Sequence, residues 1–232
     1  MSYALIILNC ERYADKRQKQ CDGWLADPAF PIPLWFHVIG DPTLAVEFAL
    51  DESAHLLQVQ CKDDYMSLPK KTYLAIQAIR TQFPEVQTIL KTDDDMNCLP
   101  TGLHTILGLV SQYDYGGYII DHRGGMSDYH FQYVVDPEER QRKIVRRCRY
   151  ANGRFYFLSR RAADHLLSQR PLFWDSTFED NTVGFAVATL AGLKMHRLHV
   201  DHQVFTDYDY VPPNHTVARY TSLATAAVTA KR

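Results

Sequence analysis

Three consecutive aspartates, Asp93, Asp94 and Asp95, follow closely on the apolar run 88–90. Thr88, Ile89 and Leu90 suit a short buried strand, so the acids emerge at its C-terminal end. Adjacent carboxylates repel one another, and a folded chain keeps three together only in water or around a cation. Hard divalent cations such as Mg²⁺ or Mn²⁺ prefer carboxylate oxygens and bridge to phosphate. In open α/β sheets, ligands bind outside the carboxyl ends of the strands. The triplet is therefore a candidate metal–phosphate site at a strand end. The competing reading is a solvated turn, where Asp is common. Lys91 and Thr92 extend the acids into a polar cluster that a simple turn does not require.

The rest of the pattern fits a sheet with such an edge. Segments 4–8, 34–39, 55–59, 86–90, 113–120, 154–158 and 194–200 read as strands. Segments 15–24, 68–80, 102–110, 160–167 and 181–190 read as helices. Strands alternate with helices through the first half, which argues for an α/β sheet with parallel pairs, and the second half is more mixed. With 232 residues, 46% of them hydrophobic, the chain is long enough for one large domain. A net charge of −2 gives no electrostatic case for nucleic-acid binding. No apolar run approaches the roughly 18–20 residues of a transmembrane helix, and the first residues carry no secretory pattern. Cys10, Cys21, Cys61, Cys98 and Cys148 form no CxxC pair, so reduced thiols in a soluble, cytoplasmic protein are expected. The end after Pro213, rich in Ala and Thr, is expected to be mobile.

Three further constellations carry chemistry. Glu179 and Asp180 stand immediately before an apolar helix. Acids there suit the helix dipole, and a carboxylate held there can also act as a general base. Lys70 and Lys71 begin the helix 68–80, a poor place for a cation unless an anion or an acidic neighbour lies close. Four of the ten histidines, His196, His199, His202 and His215, fall near the C-terminus. His202 follows the last strand, and a histidine beside carboxylates can complete a Mn²⁺ site. The basic run Arg140, Arg142, Lys143, Arg146, Arg147 and Arg149 reads as a solvated helix face or loop, or as a surface for an anionic acceptor or diphosphate. No GxGxxG, GxxxxGK, HExxH or GxSxG pattern is present.

Several blocks occur in a telling order. Lys16-Arg17-Gln18 leads to Gly23-Trp24, and Asp63-x-Tyr65-x-x-Leu68-x-x-Lys71-Thr72 follows. Next come Leu90-Lys91-Thr92-Asp93-Asp94-Asp95, then the run from Tyr150 through Gly153 to Ser159, then Glu179-Asp180-x-x-x-Gly184. Together they resemble the β-1,3-galactosyltransferase/Fringe-like family of inverting glycosyltransferases. The resemblance implies a GT-A fold, a Rossmann-like α/β domain with a mixed, mostly parallel central sheet flanked by helices. It implies a single domain over 1–232, with a nucleotide-sugar-binding half (1–110), an acceptor and catalytic half (111–215) and the tail 216–232. It implies transfer of a Gal- or GlcNAc-type sugar from a UDP-sugar to a glycan or glycoconjugate hydroxyl, with Mn²⁺ or Mg²⁺. Carried over, Asp93 and Asp95 sit at the metal and Asp94 nearer the ribose or sugar. Asp180 is the base and Glu179 its neighbour, with Asn9, Arg17 and Lys71 around the nucleotide or the acids. His202, or alternatively His215, joins the metal. Family members from animals are anchored in the Golgi and carry disulfides, whereas this chain reads as a compact bacterial or viral type. Segment 113–149 lies outside the resemblance and leaves the acceptor open. The competing functions are a metal-dependent phosphoryl-transfer enzyme or phosphohydrolase, and a non-catalytic nucleotide- or carbohydrate-binding module.

Overall fold

The apolar run after Ser2 forms β1 (Tyr3–Leu8), buried from its second residue onward. It lies inside the sheet of the computed structural model, which describes residues 2–198 and 204–207. Its side chains alternate between two cores, as strand geometry requires. Ala4, Ile6 and Leu8 join one cluster, and Leu5 and Ile7 the other. A strand covered on both faces needs an unbroken apolar run, and this one has it.

The chain continues through α1 (Ala14–Asp22), β2 (Trp35–Gly40), β3 (Phe48–Asp51), β4 (Leu56–Val59), α2 (Leu68–Gln82), β5 (Thr88–Asp93) and β6 (Met96–Cys98). Then follow α3 (Pro100–Val110), β7 (Tyr115–His122), β8 (Gly125–Ser127), β9 (Lys143–Val145) and β10 (Cys148–Ser159). The last elements are α4 (Arg160–Leu167), α5 (Arg170–Trp174), α6 (Glu179–Ala188), β11 (Met195–Arg197) and β12 (Phe205–Asp207). Eight strands form one sheet in the order β11-β7-β10-β5-β1-β2-β4-β3. The pairs β11–β7, β5–β1, β1–β2 and β2–β4 are parallel, and β7–β10, β10–β5 and β4–β3 antiparallel. The mixed, mostly parallel sheet flanked by helices that the sequence implied is present.

Side chains of α2, α4 and α6, among them Leu74, Ile79, Leu166 and Val183, fill the first core. Trp24, Leu103, Phe155, Phe157 and Phe205 fill the second. Each fully buried side chain of this size contributes about 1.5–3 kcal/mol of transfer free energy.

Some boundaries differ from the sequence expectation, each for a physical reason. β5 runs on to Asp93 because Lys91 and Thr92 sit between β1 and β10 with their polar ends satisfied. The basic run expected as a helix face or loop is partly strand. Lys143–Val145 pairs with Gly125–Ser127, and Cys148 and Arg149 open β10 opposite His122 and Asp121. β10 is longer than segment 154–158 because a register shift between Ala151 and Tyr156 absorbs the polar Asn152-Gly153 stretch. His199, His202, His215 and the tail 216–232 lie outside the described residues. Among the described residues, no helix is long and apolar enough to cross a membrane.

Candidate active site

The parallel strands β1, β2, β4 and β5 deliver Asn9, Gly40, Val59 and Asp93 to one edge of the sheet. β10 is antiparallel to β5, so its Asn152–Arg154 stretch comes to the same edge. The acidic turn after β5 is fixed from beneath by α1. The Gln20 Nε2 donates to the carbonyls of Asp93 (3.2 Å) and Met96 (2.9 Å), and the Trp24 Nε1 donates to Met96 (3.2 Å).

With the backbone held, the three carboxylates separate. Asp93 takes the Lys91 ammonium at 2.6 Å and keeps 35% of its side chain open. Asp94 turns the other way and accepts from Lys16 at 3.1 Å. Asp95 is exposed and makes no hydrogen bond or ion pair among the described residues. Loss of water around Asp93 raises its carboxyl to about 6, against the pull of Lys91. Burial raises Asp94 to about 6 as well, against Lys16, with Asp95 and Asp93 adding repulsion.

The second acidic pair meets the first across Lys91. This lysine is 1% exposed, and its Nζ also donates to the Gly153 carbonyl and lies 3.5 Å from Glu179 Oε2. Burial alone lowers a lysine pKa, but Asp93 and Glu179 outweigh it and hold Lys91 above its ordinary value. Glu179 is itself locked. Its Oε1 accepts from the Tyr156 hydroxyl at 2.5 Å and from Thr72 Oγ1 at 3.3 Å. Asp180, next in sequence, points elsewhere. Its Oδ1 accepts from the Asn181 backbone N–H at 2.7 Å, and its carboxylate lies against Gly153. Burial raises the Asp180 pKa, and the charge on Asp93 pushes the same way.

The approach of α6 to β10 depends on Gly184. A Cβ there would lie 2.7 Å from Tyr150 Cα and 2.2 Å from Tyr150 Cβ. The glycine one turn beyond Asp180 is thus what lets the start of α6 reach Lys91.

The remaining predicted residues fall nearby with distinct partners. Lys71, 1% exposed, donates to Asp63 Oδ1 (2.6 Å) and to the Asn9 carbonyl (2.7 Å). Asp63 also accepts from the backbone N–H groups of Gly40 (2.7 Å) and Glu11 (2.6 Å). The acidic neighbour that a lysine at a helix start requires is therefore Asp63, and together they tie the ends of β1 and β2 to α2. Asn9 accepts the Cys10 N–H on its Oδ1, while its buried Nδ2 has no hydrogen-bond partner among the described residues. Arg17 Nη1 lies 3.6 Å from Glu11 Oε2 and has no hydrogen-bond partner among the described residues. Among the described residues, no three His, Cys, Asp or Glu side chains converge as a ready metal cluster.

Sequence reasoning missed Lys91 as a site residue, although a lysine between Leu90 and Thr92 in a buried run was the available signal. It also missed Gln20, whose role shows only once α1 packs under the turn.

A model of the galactosyltransferase family matches residues 41–199, more than half of the chain. The chain belongs to the galactosyltransferase family. As a member of this family it is a glycosyltransferase, acting on a sugar donor and an acceptor. The matched stretch contains Lys71, the triplet, Glu179 and Asp180; Asn9 and Arg17 precede it, and His202 and His215 follow it. No curated protein matches the sequence. Solved structures resemble this family member at low identity. A glycosyltransferase involved in the glycosylation of the major capsid of PBCV-1 is 13% identical, covering 91% of this chain and 94% of that chain with a TM-score of 0.49. A197 from STIV is 10% identical over 85% of this chain and 82% of that chain, with a TM-score of 0.42. The 4-diphosphocytidyl-2C-methyl-D-erythritol synthase from Anaerococcus prevotii DSM 20548 is 8% identical over 89% and 91%, with a TM-score of 0.45. The family assignment rests on the sequence match and not on these likenesses.

Proposed function

We propose that this glycosyltransferase moves a Gal- or GlcNAc-type sugar from a UDP-sugar to a glycan or glycoconjugate hydroxyl, with a divalent cation and with inversion. The observation that carries the reading is the meeting of two acidic groups from distant sequence around Lys91. One is a turn of hard oxygen donors, and the other is a carboxylate at a helix start. An inverting transfer needs these two parts, one for the leaving diphosphate and one for the acceptor.

Asp180 is the base. Its raised pKa favours accepting a proton from the acceptor hydroxyl, and its position beside Gly153 keeps it apart from the turn. Glu179 is fully engaged by Tyr156, Thr72 and Lys91, so it acts as a positioning residue that holds Lys91 and the start of α6. Asp93 and Asp95 suit Mn²⁺ or Mg²⁺ in donor chemistry, since one keeps a third of its side chain open and the other has no competing ion pair among the described residues. Such an ion, when bound, stabilises charge on the leaving diphosphate. Asp94, held by Lys16, is assigned to the ribose or sugar side. Asn9 Nδ2, buried and without a hydrogen-bond partner among the described residues, is a donor suited to the nucleotide, and Arg17, whose Nη1 has only the 3.6 Å ion pair with Glu11, is assigned beside it. β12 pairs with β6 so that Asp207 stands opposite Met96, directly after the acidic turn. His202, or alternatively His215, is assigned as the metal histidine; both lie outside the described residues. The five free thiols fit a reducing compartment, and we assign the enzyme to the cytoplasm.

The test is a thermal-shift titration. UDP with Mn²⁺ raises Tm by binding the native state, by about 2.7 kcal/mol of stability at a hundredfold excess over Kd. Asp95→Ala removes the Mn²⁺-dependent part. Absence of any shift with nucleoside diphosphates and Mn²⁺ contradicts the reading.

A further inference from the structure

The segment between β7 and β10 carries a group of tyrosines that the donor site leaves unused. It folds as a short ribbon, β8 with β9, followed inside its loop by a tight turn at Tyr129–Gln132. Tyr129 and Tyr133 are 57% and 43% exposed. The Tyr133 ring stacks on Tyr65 with centroids 4.2 Å apart and planes 11° from parallel. Tyr129 leans on both, and the hydroxyls of Tyr129 and Tyr133 lie 3.3 Å apart. Tyr133 stacked on Tyr65, with Tyr129 tilted 58° to it and the two exposed hydroxyls paired, forms a shelf with apolar ring faces and a polar rim.

The shelf is fixed beside Asp180 from both sides. His130, fully buried between the two exposed tyrosines in sequence, packs edge-on against Phe178, which directly precedes Glu179. At the far end of the segment, the Arg146 N–H donates to Asn181 Oδ1 (2.8 Å), and Asn181 Nδ2 returns a bond to the Arg146 carbonyl (3.0 Å). Tyr65 sits on the loop that Asp64 caps and Asp63 anchors. The charges of Asp180 and Glu179 reach the Tyr65 hydroxyl, and those of Asp95 and Asp93 reach Tyr133. With the contacts to Phe178 and Asn181, this places the shelf close to both acidic groups.

We propose that Tyr129 and Tyr133 form the acceptor subsite and stack on the pyranose ring whose hydroxyl Asp180 deprotonates. A pyranose has a C–H face for an aromatic ring and hydroxyls for a polar rim, and a base must touch the acceptor rather than the nucleotide. The residues assigned to the nucleotide, Asn9 just after β1 and Arg17 in α1, belong to a different part of the chain from the segment that bears the shelf. The proposal rests on the glycosyltransferase reading and names its acceptor class.

The experiment is saturation-transfer NMR of the protein with UDP and diamagnetic Mg²⁺, titrated with four probes. These are methyl β-D-galactopyranoside, methyl β-D-glucopyranoside, methyl α-D-mannopyranoside and methyl α-L-rhamnopyranoside. At least one gives ring-proton saturation on the wild type. Its apparent affinity falls about tenfold or more in Tyr133→Ala, the scale of one lost stack, and by far less in Tyr133→Phe. Tyr118→Ala, an exposed tyrosine of β7 at 44%, serves as the control and leaves the signal in place. A retained UDP thermal shift in Tyr133→Ala shows a folded protein with its donor half intact. No saturation from any probe, or equal saturation in Tyr133→Ala, overturns the proposal. Loss of the UDP shift in Tyr133→Ala assigns the shelf to the donor and overturns it too. Conversion of a dimer to a monomer by Tyr133→Ala, read by sedimentation, makes the shelf an interface and overturns it as well. Tyr133-dependent sugar binding without turnover of any nucleotide sugar supports the shelf and separately defeats the transferase reading.

Discussion

The Lys91 ammonium lies 3.5 Å from Glu179 Oε2 and so joins the end of β5 to the start of α6. The same Nζ holds Asp93 at 2.6 Å, and Asp180 is near enough to act on it electrostatically. One buried cation thus organises the acids of both halves of the site. Breaking a buried charge group by removing one partner is costly, because the remaining charges lose their compensation. Lys91→Met is expected to destabilise the protein by about 3–5 kcal/mol and to abolish transfer. Adding Glu179→Gln to Lys91→Met recovers part of the stability and none of the activity. Denaturant titration of the two variants, with activity assays beside it, measures both effects.

Gly184 and Tyr150 define how closely α6 can approach β10. A methyl group at 184 meets Tyr150 backbone and side chain well inside contact distance, so the helix must shift. Gly184→Ala is expected to cost about 1–3 kcal/mol through overpacking. For a domain of this size Tm falls by about 2–4 °C per kcal/mol. Since the displaced end carries Asp180, kcat falls while the UDP-induced thermal shift persists. An unchanged Tm and kcat would mean that α6 does not depend on this contact.

His37 predicts a pH dependence that does not involve the acids of the proposed site. It is 1% exposed, and burial lowers its pKa from 6.5 to about 3, with smaller pushes from Arg17 and His55. Between those values the unfolded chain binds a proton at this position and the native state does not. More protons on the unfolded side mean that stability rises with pH, so this contribution is lost as pH falls from about 6.5 toward 3. His37→Gln removes the titration. The Tm of the variant relative to wild type therefore climbs as pH is lowered from 7 to 4, measured by paired thermal melts. A flat difference contradicts the burial argument.

Much of the fold is legible in the pattern of apolar residues. The run 4–8 needs two buried faces, and β1 has them. The helix expected over 160–167 forms over those residues, with Ser159 accepting the Ala162 N–H as its cap. β3, β8 and β9 are too short and too mixed in polarity to stand out as strands. The separate acidic motifs are visible as residues, but their meeting is not. It depends on β10 entering antiparallel beside β5, which sets Gly153 over Lys91 and Asp180. The burial of Lys91 likewise follows from the strands on either side of it, which no local pattern encodes. The tyrosine shelf unites Tyr65 with a segment more than sixty positions on, and only the fold brings them together.

The central claim is that Asp180 activates the attacking hydroxyl on the face opposite the leaving diphosphate. It is tested most directly without knowing the acceptor, by letting water take its place. Proton NMR follows the first-formed sugar from UDP-α-galactose or UDP-α-N-acetylglucosamine with Mn²⁺, before the anomers equilibrate. The account predicts the β-anomer first, and a rate lowered about 10²–10⁴-fold in Asp180→Asn with UDP binding retained. The α-anomer appearing first, or an Asp180→Asn variant as fast as wild type, would contradict it.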